Sequence, residues 1–124
     1  MKNTYNNNDP LLQATIMLHL GYYLSAQGQN VEALHTLTIA LEIRRYYPDL
    51  TREINLQEIS KVHNAIGDVH IKMHSFQEAM IHFYQAYLNC LNLFGDNDER
   101  TRYIKSKYEV ARALNRHVLA TSTA

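Results

Sequence analysis

The chain contains no tryptophan, one cysteine, two prolines and four glycines among its 124 residues. With Cys90 alone, neither a disulfide framework nor a thiolate zinc site can be built. Cys90 falls in an apolar stretch, where a buried, inert thiol is expected. Net charge is absent as well. Twelve Lys and Arg balance twelve Asp and Glu, so overall electrostatics select neither nucleic acid nor membrane. No apolar run approaches a membrane span, and the opening MKNTYNNNDP lacks the apolar core of a signal peptide. A cytoplasmic protein is therefore expected, or one exported without a cleaved signal. No stretch alternates with period two and no Asn-Gly or Asp-Gly hairpin turn occurs, which predicts an all-α fold. Also missing are a Gly-rich phosphate loop, a GxSxG elbow and an HExxH pair, so neither catalysis nor a cofactor is expected.

What is present is an ordinary globular balance, 46% apolar and 19% charged, of a length that makes one domain. Helix punctuation divides it into five. Asp9-Pro10 supplies a cap and a proline at the first helical position. Leu12, Ile16, Leu20, Tyr23 and Leu24 then recur as a helical stripe. Gly28-Gln29-Asn30 ends this helix and caps a second, with the stripe Ala33, Leu34, Leu37, Ala40, Leu41 and Tyr47, before Pro48. Asp49 or Thr51 caps a third helix, through Ile59, Val62, Ile66, Val69 and Met73. Ser75 to Glu78 has capping-box spacing and opens a fourth, which Gly95 closes in the left-handed conformation. Asp96 or Asp98 caps a fifth, running to about His117. The expected organisation is a disordered tail over 1–9, one helical domain over 10–119 and a frayed tail over 120–124.

Residues 17–42 lie over residues 63–88 at a shift of 46. Leu20 meets Ile66, Gly21 meets Gly67, Ala33 meets Ala79, Leu37 meets Phe83, and Ala40 meets Ala86. Small residues at these places let two antiparallel helices approach while the large ones fill the space between them. On these residues the chain resembles the tetratricopeptide repeat (TPR) family. Leu20-Gly21 and Ile66-Gly67 match its first-helix pair, and the Ala-large-Ala series matches its second helix. The shift exceeds the roughly 34 residues usual in that family. It is similar to the long repeats of kinesin light chain, to whose proline-bearing link residues 40–50 correspond. The resemblance implies a right-handed α-hairpin solenoid of about two and a half repeats. Val110-Ala111 and Leu114 would begin the incomplete third unit.

Four of the seven histidines fall between residues 63 and 88. His63, His70 and His74 share one helix face, but a rise of roughly 10 Å over seven residues keeps His63 from sharing an ion with His70. His70 and His74 alone have metal-ligand spacing, and a third ligand would have to be His82, Glu78 or a residue of another helix. Partly buried, hydrogen-bonded imidazoles are the expectation here, with no metal. A metal-binding protein built on His70 and His74 is the alternative.

The resemblance further implies a groove lined by the first helix of each unit. At those positions stand Leu18, Tyr22, Lys61, Asn64, Asp68, Lys72, Lys105, Tyr108, Arg112 and Arg116. Tyrosines beside cations suit an acidic or helical segment of a partner protein. The carboxylate clamp of chaperone-binding relatives is not matched, since Ala65 and Ala113 stand where its polar residues are needed. The expected function is a non-catalytic interaction module, an adaptor or a stoichiometric inhibitor or regulator, which a bacterial effector context would suit. Too few repeats to cover the apolar surface also point to homodimerisation. Nucleic-acid binding through the basic fifth helix is a further alternative, although nucleic acid is not the expected partner.

Overall fold

The structure is a computed structural model that describes residues 9–48 and 51–122. Among these residues the chain forms five helices and no strand: α1 (Pro10–Ala26), α2 (Asn30–Tyr46), α3 (Arg52–Lys72), α4 (Phe76–Phe94) and α5 (Glu99–Ser122). The expected N-terminal tail, apart from Asp9, lies outside the described residues. So do Asp49, the alternative cap of α3, and the last two residues of the C-terminal tail.

Local chemistry sets most of the helix ends. Asp9 accepts a hydrogen bond from the Leu12 amide at 3.1 Å, with Pro10 opening the helix. Thr51 accepts from the Ile54 amide at 3.2 Å, and Asp98 from the Arg100 amide at 2.8 Å. Two caps differ from expectation. Gln29, not Asn30, precedes α2, and Asn30 sits inside the helix with its Oδ1 buried and unpartnered. Ser75 precedes α4 but its hydroxyl makes no capping bond. Both turns are closed by backbone instead. The Gln29 amide donates to the Leu24 carbonyl at 2.9 Å, and the Ser75 amide to the His70 carbonyl at 2.8 Å. These are the long-range bonds of a Schellman closure, and they need a left-handed residue just before the donor. Gly28 fills that place at φ 79° and His74 at φ 59°. Gly95 after α4 also has positive φ, 81°, but with ψ 171° it turns the chain outward rather than continuing left-handed. α5 continues to Ser122, past the expected end, because nothing in Ala120-Thr121-Ser122 breaks a helix.

Successive helices pack against each other and α1 also touches α3; among the described residues no comparable packing joins α1 to α4 or α5. The closest approaches fall at two glycines. A Cβ on Gly21 would stand 2.4 Å from Leu37 Cδ2, and one on Gly67 would stand 2.4 Å from Phe83 Cε1. Around these contacts Leu18, Leu37 and Leu41 meet Val62, Ile66 and Val69 in the largest cluster. Phe83 and Ala79 meet Ala111 of α5, while Ala86 and Cys90 meet Ile104. Val110, expected beside Ala111 in the packing, is exposed. One buried cation ties three helices: Arg44 donates to Thr15 Oγ1 at 2.8 Å and to Glu58 Oε1 at 3.5 Å.

The packing residues expected from the repeat are buried, namely Gly21, Ala33, Leu37, Ala40, Ile66, Gly67, Ala79, Phe83 and Ala86. Leu20 is the exception and the correction, at 42% exposed against 2% for Ile66. Its neighbours on the stripe follow it. Ile16 is 56% and Tyr23 60% exposed, whereas Val62 and Val69, 46 residues on, are 1% and 2% exposed. The reason is position. The α3 stripe faces α2, whereas no helix among the described residues covers the α1 stripe, and α1 buries Ala14, Leu18, Gly21 and Ser25 instead.

Replacing Gly67 with alanine forces the Phe83 ring aside, and the expected loss of about 1–3 kcal/mol outweighs the gain in helix propensity of about 1 kcal/mol. Urea unfolding of Gly67→Ala measures the sign, and a stabilised variant would show that the approach is loose. His74→Gly should raise stability by about 1 kcal/mol, because a side chain no longer occupies left-handed backbone. The same titration reads it.

Candidate functional site

Troughs lie between α3 and α5 and between α1 and α3, a further hollow of about 400 Å³ lies beside Arg44, Thr15 and Glu58, and one face of α1 is exposed. The trough between α3 and α5 encloses about 640 Å³, with Cys90, Phe94 and Ile104 as its apolar floor and Lys61, Asn64 and Arg102 on its sides. Ser60 also borders it, with a buried hydroxyl that meets no oxygen or nitrogen partner. Its polar neighbour is the Cys90 thiol, a weak partner, and burial pushes that thiol's pKa up. The smaller trough between α1 and α3, about 360 Å³, is bordered by Tyr22, Asp68 and Lys72.

The residues expected to line a groove are thus divided. Tyr22, Asp68 and Lys72 border one trough, and Lys61 and Asn64 the other. Lys105, Arg112 and Arg116 are exposed on α5 and border neither. Tyr108 turns toward α4, its ring 5.2 Å from that of Tyr84, and packs on the Phe83 cluster. Leu18 is core.

Half of the charged residues at these positions, Lys61, Asp68 and Lys72, are engaged within the chain. Lys72 Nζ donates to the Ser25 carbonyl at 3.1 Å and to its hydroxyl at 2.8 Å, stitching α3 to α1. Lys107 Nζ reaches Asp68 Oδ1 at 2.6 Å and Asn64 Oδ1 at 2.7 Å, stitching α5 to α3. Lys61 pairs with Glu58 at 2.8 Å, and Arg100 with Asp98 at 3.0 Å while lying over the Phe94 ring. Burial, with Asp68 and Tyr103 nearby, raises the Tyr22 pKa and keeps its hydroxyl protonated. Arg102 forms no ion pair among the described residues. The troughs therefore offer apolar floor more than free positive charge. Lys107 was not legible as the bridge to α3, because the apolar spacing of α5 does not reveal which of its cations reaches that helix.

The face of α1 is different in kind. Apolar residues surround this helix on all sides, an arrangement that soluble helices show when they are covered on all sides. Here Leu12, Ile16, Leu20 and Tyr23 form an exposed stripe with the spacing of a packing face. No helix among the described residues is long and apolar enough to cross a membrane.

The histidines gather between α3 and α4. His63 Nδ1 and His82 Nδ1 are 2.9 Å apart, so one ring donates its proton to the other. The His70 ring lies parallel to that of His82, with centroids 5.8 Å apart. His74 stands apart, its ring stacked on Phe76. The spacing that pairs His70 with His74 in sequence therefore does not pair them in space. Burial lowers all three clustered pKa values; for His63, burial first, then the charges of His82 and Arg45, bring it to about 4.

No family model matches the chain, and no curated protein or solved structure matches it.

An imidazole held neutral in the fold costs stability once the unfolded chain can protonate. The His63 contribution is complete above the unfolded pKa of about 6.5 and declines as pH falls toward 4, by roughly 3 kcal/mol in all. Urea midpoints measured across that range with a chelator present should drop in the wild type and drop less in His63→Gln. Parallel profiles for the two proteins would remove His63 as the cause.

Proposed function

We propose that the protein is a non-catalytic interaction module, an adaptor or stoichiometric regulator, that receives a helical segment of another protein molecule on the exposed face of α1. The reading rests on one observation. Ile16, Leu20 and Tyr23 are open to solvent at the positions where Val62, Ile66 and Val69 are covered by α2. An exposed apolar stripe in the register of one that a helix covers is suited to docking a helix. Covering it contributes on the order of 1 kcal/mol per side chain, enough over three residues for about a hundredfold preference.

The arrangement that fits this reading is a TPR-like right-handed hairpin solenoid of two and a half units. It is supported by packing between successive helices, by the Gly21–Leu37 and Gly67–Phe83 contacts in one register, and by matching turn closures at Gly28 and His74. The exposed face of α1 is apolar, whereas a unit of such an array that faces solvent needs a polar one. The partner chemistry inferred from this face is an amphipathic helix with apolar residues three and four apart. Lys61, Lys72 and Lys107 are engaged within the chain, and the exposed Lys105, Arg112 and Arg116 stand on α5 rather than on the α1 face, so an apolar helix suits that face better than an acidic segment. Without a partner the same stripe favours weak homodimerisation.

Selection from a displayed library of helical peptides should return amphipathic sequences. Their binding should weaken at least about tenfold in Leu20→Asp while the unfolding midpoint stays within error, since Leu20 is surface. Peptides that bind Leu20→Asp and wild type alike would place docking elsewhere. Sedimentation equilibrium should show concentration-dependent self-association in the wild type that Leu20→Asp abolishes. A strict monomer at high concentration would remove the homodimer.

A further inference from the structure

The cluster between α3 and α4 carries an inference independent of helix docking. His70 of α3 and Glu78 and His82 of α4 each offer one ligand atom, and the three atoms all lie within 4.8 Å of one another. Glu78 and His82 are four residues apart on one side of α4, and the antiparallel α3 brings His70 opposite them. Hydrogen bonding among imidazoles, the expectation from sequence, accounts for His63 and His82 but not for His70. The His70 Nδ1 is buried and has no hydrogen-bond partner, a state that ordinarily costs a polar atom about 1–3 kcal/mol.

The fourth histidine takes a supporting place. His63 Nδ1 holds His82 Nδ1 at 2.9 Å and fixes that ring, leaving Nε2 for another partner. Metal-binding imidazoles are commonly held in this way, through the nitrogen that does not ligate. The donor set is two imidazoles and one carboxylate. It suits a borderline divalent ion that accepts nitrogen, such as zinc, and lacks the oxygens that calcium or magnesium requires. One carboxylate against the dipositive ion, with the Arg45 charge felt at His82, predicts weaker binding than a thiolate site gives.

We propose that His70, Glu78 and His82 bind one divalent transition-metal ion of the zinc class, with water completing the shell, so that the ion clips α3 to α4 beside their turn. His63 is a positioning residue in this site and not a ligand.

Protein purified without a polyhistidine tag and stripped with chelator is titrated with Co²⁺ and followed by its visible absorption, then with Zn²⁺ in competition. One equivalent of Co²⁺ should bind with the intensity of a four- or five-coordinate ion, and zinc should displace it. Glu78→Gln and His70→Ala should each weaken binding by at least about tenfold. His74→Ala, the neighbour that stacks on Phe76, should bind as the wild type does. Unfolding midpoints of the metal-free variants establish that each is folded, and a fixed zinc concentration should raise the midpoint of the wild type and of His74→Ala more than that of Glu78→Gln or His70→Ala. Absence of saturable one-to-one binding, or equal affinity in wild type and Glu78→Gln, would overturn the site. So would a loss in His74→Ala as large as that in His70→Ala.

Discussion

Two close contacts, Gly21 on Leu37 and Gly67 on Phe83, set the geometry on which the rest of the molecule depends. At each, the space a Cβ would need is already filled by the partner helix's side chain. Helices brought this near bury alanine almost completely, as Ala33, Ala40, Ala79 and Ala86 show at 0% exposure. Small residues in such numbers would waste a wider interface. The large residues Leu37 and Phe83 then sit over the glycines and reach the next layer. α3 packs on α2, and α5 on α4, through what those layers leave uncovered.

From this follows the contrast between α1 and α3. The two helices carry apolar stripes in one register, yet α3 has α2 against its stripe and no helix among the described residues covers that of α1. Solvent exposure of the same positions differs by more than an order of magnitude for that reason alone. The troughs between α1, α3 and α5 are secondary by comparison. Lys72 and Lys107 hold α3 to α1 and α5 to α3, so their charge is a structural resource before it is a recognition one.

Much of the fold was legible because helix punctuation is local. Asp9-Pro10, Thr51 and Asp98 act through hydrogen bonds within a few residues of themselves, and each is found at the helix end it predicts. The glycine–large pairs were legible because a single shift aligned them twice. Burial on α1 was not. Periodicity reports which residues share a face, and α1 has apolar residues on more than one; only the presence or absence of a neighbouring helix decides which is covered. Side-chain reach was hidden as well. Nothing in the spacing of Lys105 and Lys107 tells that the second bridges to Asp68 while the first stays in solvent. The histidine pairing failed for a related reason. His70 and His74 have helical spacing, but α3 ends at Lys72 and the left-handed turn carries His74 away, so that His82 of α4 becomes the neighbour.

The exposed face of α1 and the histidine cluster are separate features, one on the outer side of α1 and one between α3 and α4. Of the two, the face bears more weight, because the functional reading stands on it. Hydroxyl-radical footprinting of the unmodified protein, resolved to single residues by mass spectrometry, tests it. In dilute solution Ile16, Leu20 and Tyr23 should oxidise many times faster than Val62, Ile66 and Val69 once each rate is divided by the intrinsic reactivity of its side chain, and their rates should fall when a selected helix is added. Equal protection of the two sets in the dilute protein would mean that α1 is already covered, and the docking face would not exist.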